Sequence, residues 1–116
     1  MLDHPLVRRA AALATWFAIA LLAILSLLPK TEMVRTGVDG RFEHFIAYAG
    51  TMGLCAIAYA RRIGTLRPAL ALVVYAAALE LGQHFAPGRT PGVLDFAAGA
   101  AGIIVGAVVT RAMLRY

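Results

Sequence analysis

Charged side chains are scarce in this chain, and polar helix faces are scarce with them. Asp, Glu, Lys and Arg make up 15% of the 116 residues, against about 25% in an average soluble domain. A soluble helical bundle needs a polar stripe on every helix, and the long apolar runs here carry none. The single cysteine, Cys55, excludes an internal disulfide and any Cys-x-x-Cys redox motif; its mid-helix position reads as a small buried hydrophobe. No serine lies near the polar residues described below, so a serine nucleophile is not part of any site they form. The chain also lacks internal repeats, low-complexity segments and linkers.

What is present is hydrocarbon. Hydrophobic residues account for 61% of the chain, and the mean hydropathy is +0.78. Four apolar runs, at about residues 10–28, 42–60, 66–85 and 93–112, each approach the ~20 residues a helix needs to cross ~30 Å of hydrocarbon. The expectation is an all-α fold, a single domain over residues 1–116, built as a bundle of four transmembrane helices. Pro29 ends the first run, and Pro87 ends the third because its ring blocks helical continuation. Pro68 falls in a first turn, where proline is tolerated, and Pro91-Gly92 opens the fourth helix. The turn at residues 61–67 is short enough to force the second and third helices into antiparallel contact. Arg8 and Arg9 before an apolar run suggest a signal peptide. That run is too long, however, and no small-x-small cleavage site follows before Lys30, so an uncleaved first helix is expected.

A net charge of +5 raises the question of nucleic acid, but the basic residues sit at helix ends and in short loops. Seven of them, Arg8, Arg9, Arg61, Arg62, Arg67, Arg111 and Arg115, fall on one side of the expected bundle. Lys30, Arg35, Arg41 and Arg89 fall on the other, accompanied by Glu32, Asp39, Glu43 and Asp95. The Lys/Arg-rich side marks the cytoplasm. Both termini are therefore expected inside, in a bacterial cytoplasmic membrane, with no nucleic-acid partner.

The stretch from Glu80 to Asp95 is the chemical centre of the chain. Glu80, Gln83, His84, Arg89 and Asp95 stand between two apolar runs, where an unpaired charge is costly and functional residues concentrate. At 100° per residue, His44, Tyr48, Thr51 and Cys55 line one face of the second helix, and Asp95, Gly99, Gly102 and Gly106 line one face of the fourth. Small residues so spaced let backbones approach closely in lipid, so that face is a helix contact that Asp95 shares. The candidate site is His44, Tyr48, Glu80, Gln83, His84, Arg89 and Asp95, with Arg41 as a further candidate. Blander readings stand beside it. The glycine stripe is structural, Thr51 and Cys55 are packing residues, and Lys30, Glu32 and Glu43 are solvated. His44 and Tyr48 also suit headgroup depth, and a structural Glu80–Arg89 pair would pin the bundle.

The run Glu80-x-x-Gln83-x-Phe85-x-Pro87-x-Arg89, with Asp95 six residues later, resembles the VanZ-like family of small bacterial membrane proteins. So does Arg41-Phe-Glu-His44-Phe45-x-Ala47-Tyr48 upstream. The resemblance covers roughly residues 39–110. Two positions depart from the family pattern: Gly40-Arg41 stands where the family usually has Asp-Lys, and Gly99 stands where it often has Asn. The resemblance implies a multi-helix envelope protein, in a family named for teicoplanin resistance, and it supplies no defined reaction.

Several functions are compatible with these residues. In the first, Arg89 presents a bidentate fork to a phosphate or carboxylate, while the other residues contact a lipid head group, a wall precursor or a glycopeptide. The second is an intramembrane enzyme using the carboxylates and histidines in acid–base chemistry. His44, Glu80, His84 and Asp95 include metal-ligand types, but no metal signature such as H-E-x-x-H is present, so neither metal nor cofactor is expected. A small drug exporter would need a carboxylate in the first helix, which has none. A structural assembly subunit is the last alternative.

Overall fold

The computed structural model describes residues 4–27, 40–82 and 93–114. They form four α-helices: α1 Pro5–Leu27, α2 Gly40–Ile63, α3 Leu66–Gly82 and α4 Val93–Leu114. The all-α, four-helix expectation holds. The helices differ in extent from the hydropathy runs, because apolar composition and helical backbone are separate properties. α1 starts at Pro5 and carries Arg8 and Arg9 in its first turns. α2 continues through Arg61 and Arg62 to Ile63. The expected continuation of α3 to Phe85, and the roles given to Pro29, Pro87 and Pro91, lie outside the described residues.

The α2–α3 turn shows how local chemistry sets the topology. Gly64 adopts φ +81°, the left-handed conformation that glycine reaches without a Cβ penalty. Its N–H donates to the Ala60 carbonyl at 2.7 Å, which closes α2 in the usual glycine-capped manner. Thr65 follows, and its carbonyl accepts from Ala69 N–H at 3.1 Å, the first hydrogen bond of α3. Pro68 is buried in the first turn, where its missing N–H costs no hydrogen bond. Two residues therefore reverse the chain.

α2 is the central element, packing on α1, α3 and, most extensively, α4. Residue pairs along the α2–α4 seam rise together in number, from Tyr48 beside Gly99 to Gly53 beside Thr110. The two helices are parallel, with α3 returning between them in sequence. Glycines permit the seam. A Cβ at Gly102 would collide with the Phe45 carbonyl oxygen, and one at Gly106 would stand 2.6 Å from the Ala49 carbonyl oxygen. Helix backbones meet here with no side chain between them, the approach that small-xxx-small spacing allows. Met52 and Ile103, both fully buried, fill the core around it with Ala56, Ala60, Leu72 and Ala76.

Three buried threonines lie in this interior, and each keeps its hydroxyl satisfied within its own helix. Thr15 donates to the Ala11 carbonyl at 2.7 Å, Thr51 to the Ala47 carbonyl at 2.8 Å, and Thr110 to the Gly106 carbonyl. Bonding back to residue i−4 lets a hydroxyl occupy a dry interface without a partner on another helix.

The outside of the bundle carries many large apolar side chains. Leu13, Trp16, Phe17 and Ile24 of α1 are exposed, as are Ile104, Val108 and Met113 of α4. α1 and α4 each contain a window long and apolar enough to cross a membrane, and most of each window lies on the outside. The molecule measures 44 × 24 × 23 Å.

Candidate functional site

Three of the residues expected to form a site are described with their side chains: His44, Tyr48 and Glu80. His44 and Tyr48 lie one turn apart on α2, a spacing that places both on the same face. Their rings stack with centroids 6.4 Å apart and planes inclined by 25°. Tyr48 is buried, 3% exposed, and its ring lies against the backbone of α4 at Gly99. A Cβ at Gly99 would stand 3.0 Å from Tyr48 Cδ2 and 3.3 Å from Cε2. The space that a side chain at residue 99 would need is taken by the Tyr48 ring.

Glu80 approaches from α3. It lies within electrostatic reach of Tyr48, as does Tyr75 one turn and a residue earlier. Its Oε1 is buried and has no hydrogen-bond partner among the described residues. A buried carboxylate oxygen without a partner gives up its hydration and gains nothing in exchange. Most polar atoms so placed in folded proteins are bonded, so each exception asks for an explanation. Here the explanation is spatial: Glu80 is held by a helix, beside a tyrosine, at the end of the bundle away from the arginine-rich turn. α3 supplies the carboxylate, α2 the two rings, and α4 the glycine against which the Tyr48 ring lies.

The remaining candidates divide into two groups. Arg41 and Asp95 belong to the first turns of α2 and α4, at the same end of the bundle as Glu80. Gln83, His84 and Arg89 lie outside the described residues. Among the described residues, no three His, Cys, Asp or Glu side chains form a group able to hold a metal ion. Thr51 is engaged with its own helix and belongs to packing.

Cys55 requires a correction. The mid-helix position suggested a buried thiol, but it is half-buried and lines an apolar groove formed with α1 and α3. The 100° stripe places Cys55 near Tyr48 in angle, yet two turns further along α2 the neighbouring helix is a different one. Helical phase gives direction only; it does not give the neighbour.

Sequence reasoning also passed over the aromatic residues of that groove. Trp16 Nε1 donates to the Tyr59 hydroxyl at 2.8 Å, and the Tyr75 hydroxyl donates to the Ile19 carbonyl. The available signal was the placing of Trp and Tyr in aliphatic helices. Tyr and Trp carry a polar handle on an apolar ring, and the handle takes a hydrogen-bond partner where apolar side chains surround it, so such residues predict cross-helix bonds. No protein-family model, curated protein or solved structure matches the chain.

Proposed function

We propose that this is a polytopic protein of the bacterial cytoplasmic membrane, with an extracytoplasmic polar site that binds a polar envelope ligand. In this reading all four helices span the bilayer and both termini are cytoplasmic. The support for the membrane is the outward placing of apolar side chains on α1 and α4, since water would oppose so much exposed hydrocarbon. The 44 Å length of the molecule suits the ~40–45 Å of a bilayer with its head groups. The orientation follows the excess of Lys/Arg at the end bearing the α2–α3 turn.

The observation that carries the functional part is the unpartnered Oε1 of Glu80 beside Tyr48 and His44. A bundle held together for structure alone would gain from pairing or removing that carboxylate. Without a partner among the described residues, it is an acceptor available to a ligand's hydroxyl, amide or ammonium group. Arg89, two residues after Pro87 in the sequence, brings the residue type that forms a bidentate fork on a phosphate or carboxylate. A lipid head group, a lipid-linked wall precursor and a glycopeptide all combine such groups. The resemblance of residues 39–110 to the VanZ-like family favours an envelope role and makes teicoplanin the first ligand to test.

The test is susceptibility to teicoplanin and vancomycin in a susceptible host producing the wild type, Glu80→Gln, Arg89→Ala or Asp95→Asn at matched membrane levels. The wild type is expected to raise tolerance to teicoplanin, and all three substitutions to abolish the effect. No shift with the wild type, or a shift that survives Glu80→Gln and Arg89→Ala, overturns this reading.

A further inference from the structure

A groove of about 600 Å³ opens between α1, α2 and α3, toward the end of the bundle that bears the α2–α3 turn. Its volume is in the ordinary range for a small-molecule site, ~300–1,000 Å³. Measured along α3 from Arg67 to Tyr75, it runs for about 12 Å at the helical rise per residue.

The chemistry of its walls is one-sided. The polar atoms that could face a ligand are used elsewhere: Trp16 Nε1 on Tyr59, the Tyr75 hydroxyl on the Ile19 carbonyl, and Thr15 on its own helix. What remains is aliphatic side chain and aromatic face, including the alkyl stem of Arg67. Arg67 is exposed. This whole end of the bundle is basic, with Arg8, Arg61, Arg62 and Arg111 on the same side. The acidic residues of the four helices, Glu43, Glu80 and Asp95, belong to the other end. Two buried polar atoms at the basic end, Arg8 Nε and Thr65 Oγ1, have no hydrogen-bond partner among the described residues.

We propose that this groove binds an anionic phospholipid of the cytoplasmic leaflet, with an acyl chain along α3 and its phosphate head group on Arg67. Charge complementarity decides the occupant. An apolar slot alone would take any acyl chain, but a slot lined by the stem of an exposed arginine favours a chain whose head group carries a phosphate for that guanidinium. Basic pockets between transmembrane helices on the cytoplasmic side have this character. The inference rests on the membrane reading above, concerns the opposite end of the bundle from Glu80, and is independent of what the polar site binds.

Trp16 is the only tryptophan in the chain and lines the groove, so it reports on the occupant. The protein is reconstituted in vesicles of dibrominated phosphatidylcholine, whose bromines quench Trp16. Unbrominated phosphatidylglycerol or unbrominated phosphatidylcholine is then mixed in. Phosphatidylglycerol is expected to restore emission at a roughly fivefold lower mole fraction, the weight of one basic residue near an anionic lipid surface. Arg67→Gln, which removes the cation, and Ala71→Phe, which fills the slot, are both expected to erase the preference. Both positions are exposed, and helical content measured by circular dichroism confirms folding. Equal recovery with the two lipids in the wild type, or a preference that survives either substitution, overturns the proposal. Protein that fails to float with the vesicles overturns the membrane reading as well. Protein that floats without lipid preference overturns this proposal alone.

Discussion

Gly102 of α4 lies directly on the backbone of Phe45 in α2. A methyl group at residue 102 would run into the Phe45 carbonyl oxygen and come within 3.1 Å of the Ala49 nitrogen. The obstacle is backbone on both counts, so no rotamer change can clear it.

Gly102→Ala is therefore expected to cost about 1–3 kcal/mol, the usual range for overpacking a tight interface, and Gly106→Ala a similar amount. Gly50 has nothing within 4 Å of an added Cβ. Gly50→Ala is expected to be neutral, or to stabilise by ~0.5–1 kcal/mol, because glycine loses more conformational freedom on folding into a helix than alanine does. Denaturant titration in detergent, followed by circular dichroism, measures all three. Equal stability for the Gly102 and Gly50 variants would refute the close α2–α4 seam.

Gly99→Asn tests the relation between that seam and the polar site. The nearest atoms to an added Cβ belong to the Tyr48 ring, at 3.0–3.6 Å, and a side chain yields more easily than a backbone. The substitution is expected to displace the ring and alter ligand-dependent phenotypes, with a smaller loss of stability than Gly102→Ala. Comparing tolerance phenotype and unfolding midpoint in the two variants separates the effects.

Glu80→Gln separates a functional carboxylate from a structural one. Removing a carboxylate whose buried oxygen has no partner among the described residues breaks no hydrogen bond there, whereas removing one member of a buried ion pair typically costs about 3–5 kcal/mol. Thermal stability is expected to be unchanged or raised, while the envelope phenotype is lost. A large fall in unfolding temperature would show that Glu80 is held in a structural pair.

The Trp16–Tyr59 bond joins α1 to α2 through side chains alone. Tyr59→Phe leaves the indole N–H without that acceptor and is expected to cost about 0.5–1.5 kcal/mol. The emission maximum of Trp16, the sole tryptophan, should shift with it. An unchanged spectrum and unchanged stability would argue that the two groups do not meet.

Hydropathy and spacing determined much of this protein unaided. Four apolar runs correspond to four helices, since a helix pairs its own backbone groups within the segment. The short turn at Gly64 and the stripe through Gly99, Gly102 and Gly106 are local signals, readable from residue identity and a 100° step. The convergence of Tyr48 and Glu80 was suggested by face arithmetic, although arithmetic gives no distance. Tertiary structure alone decided which helix each face meets. It set α2 and α4 in parallel contact, seated the Tyr48 ring in the space left by Gly99, and turned Cys55 toward a groove instead of the core. The same holds for the groove itself, since Trp16, Tyr59, Arg67 and Tyr75 are distant in sequence and unremarked by any periodicity. A helix's own pattern fixes the direction of its side chains; the position and tilt of its neighbours, set by the sum of all packing contacts, determine what those side chains touch.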